Sequence, residues 1–413
     1  MKKYQYTDGL VSILIPCYNV ENCISDMFES IIEQTYSHYE IIVVNDASTD
    51  HTEEVLLEYK SFFEERKTKY RYLRHNENKG AAVAINTGLQ HATGEFLIWP
   101  DADDILLEGA IKKLVELLQK NKDYGISCGQ VLQVEKETGL VVKHHNITKD
   151  DYSDHYFDEL LFEKKYTSGT SGSCMIRLKE FDKHVKNRRI YETHFGQNLQ
   201  MVLPMAYHSR CGFVHQDVYK YMVSEKGHHR RNSGTFELDI KRAEQYKDCV
   251  MNTIATMDLE DLERSTLIKA TKKEMGKLKL GVYLKYKCWK SCEAEVLEII
   301  SSIVEFERLK ECIANRAVWI WGANECGRMW AYFLGKNGCD IKGFIDTNPD
   351  TAEIDASVFE DLDINTTSDF VFVSMRKWYE NVKEKLSNRG FYRNMDYMYP
   401  CEDIIRWRDD AGI

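Results

Sequence analysis

The sequence predicts an α/β fold for its first half, a mostly parallel sheet with helices on both faces. Three observations predict it. Short apolar runs recur, stripes of apolar residues at helical spacing separate them, and polar or acidic residues follow each run. Val11 to Ile15 is the first run, short and continuous as in a strand buried on both faces. Ile24, Met27, Phe28, Ile31 and Ile32 then form one helical stripe. Ile41 to Val44 is the second strand and ends in NDASTD, and Val55, Leu56, Tyr59 and Phe63 mark the second helix. Tyr70 to Leu73 is a third strand, AAVAINTGLQHA a third helix, and Phe96 to Trp99 a fourth strand. Ile111, Leu114, Val115 and Leu118 stripe a fourth helix. In such sheets ligands sit at the carboxyl ends of strands, so Tyr18, Asp46 and Asp101 are expected on one edge.

Beyond Gly125 the pattern changes. ISCGQVLQVEKETGLVVK reads as a hairpin around Glu137-Thr138-Gly139, and SGTSGSCMIRL (168–178) as a flexible Gly/Ser stretch entering a strand. No proline lies between Pro204 and Pro349, which leaves the chain between them free to be helical. The expected domains are therefore 1–235, a helical connector over 236–312, and a small α/β unit over 313–413. That last unit opens with strand AVWIW, turn GANECG, helix RMWAYFL and strand IKGFIDTNPD, and resembles the first βαβ of a Rossmann domain. Asn324 replaces the second glycine of G-x-G-x-x-G, which obstructs close approach of a pyrophosphate. The unit is too short for a full dehydrogenase. It reads as an accessory domain for packing, acceptor binding or dimerisation, with a second nucleotide site as the alternative.

Composition narrows the function. A formal charge of −11, from 55 basic and 66 acidic residues, argues against general nucleic-acid binding. The twelve cysteines form no C-x-x-C and no zinc-finger spacing, so free thiols in a reducing compartment are expected. MKKYQYTDGLVSILIP lacks the apolar core of a signal peptide, and no run approaches eighteen apolar residues. A cytoplasmic protein is expected.

FLIWPDADD (96–104) carries the chemistry. Asp101, Asp103 and Asp104 crowd the end of an apolar strand, where like charges repel and resist desolvation. Two carboxylates at i and i+2 can share a divalent cation, Mn²⁺ or Mg²⁺, that also bridges phosphate oxygens. A solvated acidic loop capping the next helix is the plainer alternative.

Its neighbours add weight. Pro16-Cys17-Tyr18-Asn19, Asn45-Asp46-Ala47-Ser48-Thr49-Asp50, Asn78-Lys79-Gly80 and Asp101-Ala102-Asp103-Asp104 follow in order with short connections. Over about residues 10 to 120, and more weakly to about 235, the chain resembles the family 2 glycosyltransferases, nucleotide-sugar-dependent enzymes of GT-A fold. The resemblance implies a nucleotide-sugar site from Pro16, Tyr18, Asn19, Asp46, Lys79, Asp101, Ala102 and Arg230. Tyr18 would stack near the base and Asp46 would accept its N3–H, which favours UDP. Asp101, Asp103 and His228 (or His229) would hold the metal, Asp104 would support the loop, and Arg230 and Arg231 would steady the diphosphate.

Two departures from the family pattern stand out. Ala84-Ile85-Asn86 stands where the family has A-R-N, so a donor-side arginine is missing. Gln197-Asn198 stands where inverting members carry Glu-Asp, and an amide cannot take a proton at neutral pH. Either Glu192, His194 or Asp217 serves as the base, or Asn198 orients the acceptor, or the chain binds without catalysing. A nucleotidyltransferase is a further rival, but SILIPCYNVEN offers no glycine-rich basic loop. Residues 269–290 hold eight lysines and one acid, a candidate surface for anionic lipid or an anionic acceptor, or a solvated face. The expected function is metal-dependent inverting transfer of a sugar from a nucleotide sugar, UDP-linked by preference, to a glycan or lipid-linked acceptor in polysaccharide synthesis.

Overall fold

Four parallel strands set the frame: β1 (Thr7–Cys17), β2 (Tyr39–Asn45), β3 (Tyr70–Arg74) and β4 (Gly94–Ile98), in the order β3-β2-β1-β4. The computed structural model describes residues 4–147, 151–163, 170–193, 195–224, 234–304, 306–349, 352, 354–374 and 379–399. Side chains alternate across these strands. Leu14, Ile42, Val44 and Leu97 join one apolar layer, and Ile13, Ile15, Ile41, Val43 and Ile98 join the other. Helices cover both faces. Helix α1 (Ile24–Ile32), α2 (Thr52–Glu65) and α4 (Ala110–Lys120) bury their stripes against the second layer, and α3 (Ala81–Leu89) against the first. Each such aliphatic side chain contributes about 1.5–3 kcal/mol when fully buried.

The sheet continues with β5 (Ile105–Leu106), β6 (Tyr124–Glu135), β7 (Val141–His145), β8 (Tyr152–Ser153), β9 (Cys174–Arg177) and β10 (Arg210–Val223). The order runs on as β4-β9-β6-β10-β5, with β9 antiparallel to both neighbours. The expected hairpin is β6–β7, closed by Gly139 at φ 69°. Two expectations are corrected. Ser171, Gly172 and Ser173, the described part of the Gly/Ser stretch together with Thr170, are packed, with Ser171 and Ser173 wholly buried. A Cβ on Gly172 would sit 2.1 Å from the Tyr219 ring, so a glycine is needed there for close approach. Cys128 and Cys174 form a disulfide instead of remaining free thiols. The antiparallel register pairs them directly, a contact that sequence spacing does not disclose.

The described residues divide into two compact units, Met1–Arg231 with Gln245–Thr271, and Asn232–Glu244 with Lys272–Ile413. Between 236 and 313 the chain forms helices Phe236–Thr256, Asp261–Lys285, Glu293–Ile303 and Phe306–Ile313, and the boundary falls inside the first two. The ambiguous lysine-rich stretch is therefore helical over most of its length. Lys277 pairs with Glu274, Lys285 with Asp239, Lys290 with Glu293, and Lys279 with both Glu244 and Glu295. The second unit holds a smaller, wholly parallel sheet of β11 (Ala317–Trp321), β12 (Ile341–Ile345), β13 (Asp369–Val373) and β14 (Tyr397–Met398), ordered β12-β11-β13-β14. Asn324 caps the Glu325–Lys336 helix, its side chain accepting from Gly327 N at 3.1 Å.

Gly94 makes the β1–β4 pairing possible. A Cβ there would lie 2.6 Å from Leu10 O and 2.7 Å from Ser12 N, backbone atoms that cannot give way. Gly94→Ala is expected to lose about 1–3 kcal/mol, read as a lower urea midpoint. An unchanged midpoint would show that the strands separate without cost.

Candidate active site

β1 and β2 end level, with Cys17 registered against Asn45, and β4 ends on the same edge with Ile98 against Ile13, so Pro100 and Asp101 run on beside the last residues of β1. Tyr18, Asp46 and Asp101 leave the sheet at that shared edge. Pro16, half-buried, is registered against Val44. Asn19 adopts φ 54°, a left-handed turn that asparagine tolerates. Its backbone N–H donates to Ser48 Oγ at 3.1 Å and its Oδ1 accepts from Thr49 N at 2.8 Å. These bonds stitch the first two motifs together. The Tyr18 ring stays 45% exposed, available to a stacking partner and no part of the core.

Asp46 is buried, and both of its oxygens are engaged. Lys79 N donates to the two oxygens at 3.0 Å, Gly80 N to Oδ2 at 2.7 Å, and His75 Nδ1 lies 2.5 Å from Oδ1. The far nitrogen of His75 meets Thr87 Oγ1 on α3 at 2.9 Å. A carboxylate has about four lone-pair sites, and three donors engage them here. Asp46 thereby orders the 75–80 loop and presents Lys79, whose exposed ammonium lies 3.8 Å from Glu77.

The acidic motif is held from three sides. Asp101 N donates to the Tyr219 hydroxyl at 3.1 Å, and Asp101 Oδ2 accepts from Ser171 Oγ at 2.7 Å. Burial pushes the Asp101 carboxyl up to about 6, with Asp103 adding to the rise while Ser171 and the Asn198 side chain oppose it. Ala102 is buried, and Asp103 points to solvent. Asp104 is buried, its Oδ1 accepting from Met222 N at 2.8 Å. Its Oδ2 has no well-formed hydrogen bond, although the Tyr219 hydroxyl lies beside the same carboxyl. Burial, then Asp101 and Asp103, hold Asp104 well above the usual carboxylate range. Tyr219 is wholly buried, and burial followed by the two aspartates raises its phenol far above its ordinary value.

These oxygen donors suit a hard divalent cation. The strained proximity of Asp101, Asp103 and Asp104, with one buried oxygen poorly satisfied, is the arrangement a cation would relieve. Among the described residues no group of three His, Cys, Asp or Glu side chains stands ready to hold a metal. Mg²⁺-type sites that use one or two carboxylates plus substrate phosphates need no third. His228 and Arg230 lie outside the described residues, as does His194.

Helix Gln197–His208 starts behind Gly196 at φ 75°, and its Gln197 is half-buried. Asn198 Oδ1 accepts from Trp99 Nε1 at 3.0 Å, so this amide stands directly behind the acidic motif. Gln200, buried, bonds Tyr191 N at 2.6 Å and Tyr191 O at 3.1 Å. Asn86 of α3 clamps the same segment, bonding Ile190 N at 2.8 Å and Ile190 O at 2.9 Å. Together they fix Arg189 and Glu192, which are ion-paired, at the wall of an open cleft of about 430 Å³ lined also by Glu77, Lys79, Val83 and Thr193. Ile85 is buried in the core. Asp217 sits apart from Glu192, its carboxylate 2.6 Å from His144 of β7.

With this geometry in view, the comparisons are specific. The family model for Glycosyl transferase family 2 matches residues 12–186. Over those residues the chain is similar to glycosyl transferase family 2. Glycosyltransferase GlyA of Streptococcus pneumoniae is 30% identical over 224 residues, 53% of this chain and 29% of that protein. The Escherichia coli UDP-Glc:alpha-D-GlcNAc-diphosphoundecaprenol beta-1,3-glucosyltransferase WfgD is 36% identical over 114 residues, 28% of this chain and 43% of that protein. The chain thus spans less than half the length of either family relative. Staphylococcus aureus TarS, crystallised with UDP-GlcNAc, aligns with a TM-score of 0.50 at 18% identity, covering 74% of this chain and 85% of that one. That likeness is one of fold, the GT-A type.

The family 2 motifs gave no notice of Ser171 and Tyr219. The tight Ser-Gly-Ser turn was the available signal, since a glycine packed on a tyrosine ring places its neighbouring serine. Tyr219→Phe removes the acceptor of the Asp101 amide and is expected to lower stability by about 1–3 kcal/mol in thermal unfolding. A parent-like transition would show that the hydroxyl does not hold the loop.

Proposed function

We propose that this chain transfers a sugar, with inversion, from a UDP-sugar to a glycan or lipid-linked acceptor in cell-surface polysaccharide synthesis. The observation that carries the reading is the meeting of Tyr18, the Asp46-ordered loop and Asp101-Ala102-Asp103 on one sheet edge within the family 2 region. UDP-Glc and a lipid-diphosphate acceptor are the substrates named for WfgD, which supports the same classes here. Asp46 accepts the N3–H of uracil in this reading, sharing oxygens that also order the 75–80 loop.

In this reading Pro16, Tyr18 and Asn19 form the wall against which the base stacks, and Lys79 closes the edge of the cleft. Asp101 and Asp103, with His228, hold Mn²⁺ or Mg²⁺, and Arg230 contacts the diphosphate. When bound, such an ion neutralises charge on the departing diphosphate. The acceptor oxygen forms a bond to the anomeric carbon as the bond to the diphosphate oxygen breaks. The hydroxyl proton passes to a carboxylate. Glu192 is the candidate best supported, because it lines the same cleft as Lys79 and Asp217 does not. Gln197, an amide, can orient the acceptor but cannot take its proton. A lipid-linked acceptor places the work at the inner face of the membrane, and no helix among the described residues is long and apolar enough to cross it.

Release of UDP from UDP-sugars with Mn²⁺ tests the reading. Asp103→Asn and EDTA are each expected to reduce release to background, and undiminished release in either would refute the cation site. Glu192→Gln is expected to lower turnover by about 10²–10⁴-fold with donor binding retained. UDP-sugar binding without release, even with acceptors present, would identify a binding protein instead.

A further inference from the structure

We infer that the cleft beside α3 is a diphosphate site, in which Arg189 and Lys79 hold the phosphate oxygens and Glu192 occupies Arg189 until the ligand arrives. The inference deepens the proposed reading and rests on it only for the source of the diphosphate, either the donor nucleotide or a lipid-linked acceptor. The cleft, of about 430 Å³, is lined by two cations, Lys79 and Arg189, and by Glu77, Glu192, Val83 and Thr193. Each cation rests on a carboxylate of the same wall, Lys79 3.8 Å from Glu77 and Arg189 on Glu192. The Arg189 and Glu192 side chains are 64% and 44% exposed. Exposed pairs contribute little to stability, so an anionic ligand can take the guanidinium over.

The backbone around Arg189 is fastened far more firmly than an exposed ion pair needs. Asn187 and Arg188 adopt φ 57° and 50°, left-handed conformations that cost residues with side chains free energy. Arg188 is wholly buried, donating to Leu89 O at 3.0 Å and Ala92 O at 2.7 Å and pairing with Asp182 at 2.6 Å. Gln90 Nε2 donates to Asn187 O at 2.9 Å. On the other flank Asn86 grips both backbone groups of Ile190, and Gln200 both of Tyr191. Arg189 lies between these fastenings, its backbone held while its side chain lines the cleft. Lys79 is anchored too, through its own N–H and that of Gly80 on Asp46. A planar guanidinium matches two phosphate oxygens at once, and an ammonium adds a point charge. Two such groups on separately anchored segments of one cleft suit the two phosphates of a diphosphate. Binding then strips Glu192 of its partner, so its carboxylate is free for the acceptor's proton only in the loaded site.

Calorimetric titration of the full chain with UDP, uridine and farnesyl diphosphate, Mn²⁺ present, tests the site without turnover. Arg189→Ala, at an exposed side chain, is expected to keep the parent thermal transition and to weaken diphosphate binding about 10–100-fold, with uridine binding unchanged. Arg189→Lys is expected to recover only part of the loss, because the fork is gone. Glu192→Gln removes the competitor for the guanidinium and is expected to tighten the same ligand about 2–5-fold, a gain that a merely structural pair would not give. A loss confined to UDP assigns the donor as the source, and one confined to farnesyl diphosphate the acceptor. Parent affinity for both diphosphates in Arg189→Ala, or an equal loss for uridine, overturns the inference. The two readings fail separately. Diphosphate binding that depends on Arg189, in a chain that releases no UDP from any UDP-sugar, upholds the site and sinks the transfer reaction. UDP release by a chain whose binding ignores Arg189 does the reverse.

Discussion

Parallel pairing of β1 with β2 on one side and β4 on the other is the constraint on which the site depends. Three strands that run in one direction, side by side, release the segments that follow them at one edge of the sheet. Whatever follows each of them then shares a small volume, and here that is an aromatic ring, a loop-ordering aspartate and an acidic turn. The pairing is held by apolar burial on both faces, so the edge that carries the chemistry contributes little to holding the sheet. That separation lets the edge tolerate the repulsion among Asp101, Asp103 and Asp104. The cost is offset locally, by Tyr219, Ser171 and Met222 N.

Much of this was legible in the sequence because it follows from period and order. Apolar runs and stripes in the first 120 residues placed strands and helices within a few residues of their observed ends, and four motifs in order pointed to the edge where they meet. What remained hidden was set by contacts between distant segments. Asn86 and Ile190 are 104 positions apart and Asp101 and Tyr219 118, and no local pattern announces either pair. The Gly/Ser stretch misled because the same composition serves a mobile linker and a tight packed turn; Ser171 is wholly buried. The lysine-rich stretch hid its partners in another way. Part of the imbalance over 22 residues is made up from other helices, where Glu244 and Glu295 pair with Lys279 and Asp239 with Lys285.

Asp46 shows how a motif residue can also carry a structural duty that its position does not announce. Its position after β2 was evident, and its carboxylate also engages the backbone of Lys79 and Gly80 and the ring of His75. It thereby shapes the loop that others use. The same lesson applies to Gln200 and Asn86, neither at the sheet edge, which together fasten the segment bearing Arg189 and Glu192.

Because the division between the units falls inside two helices, neither unit is a continuous length of chain. Val250, Ile254 and Met257 lie beyond position 235 yet are buried with Phe181, Met201 and Met205 of the first unit. A single cut anywhere in the connector would strip one unit of part of its own interior, so excising the N-terminal unit calls for a graft that rejoins 231 to 245. Evolution faces the same obstacle, and trading either part for a foreign module would demand simultaneous exchange at three crossings.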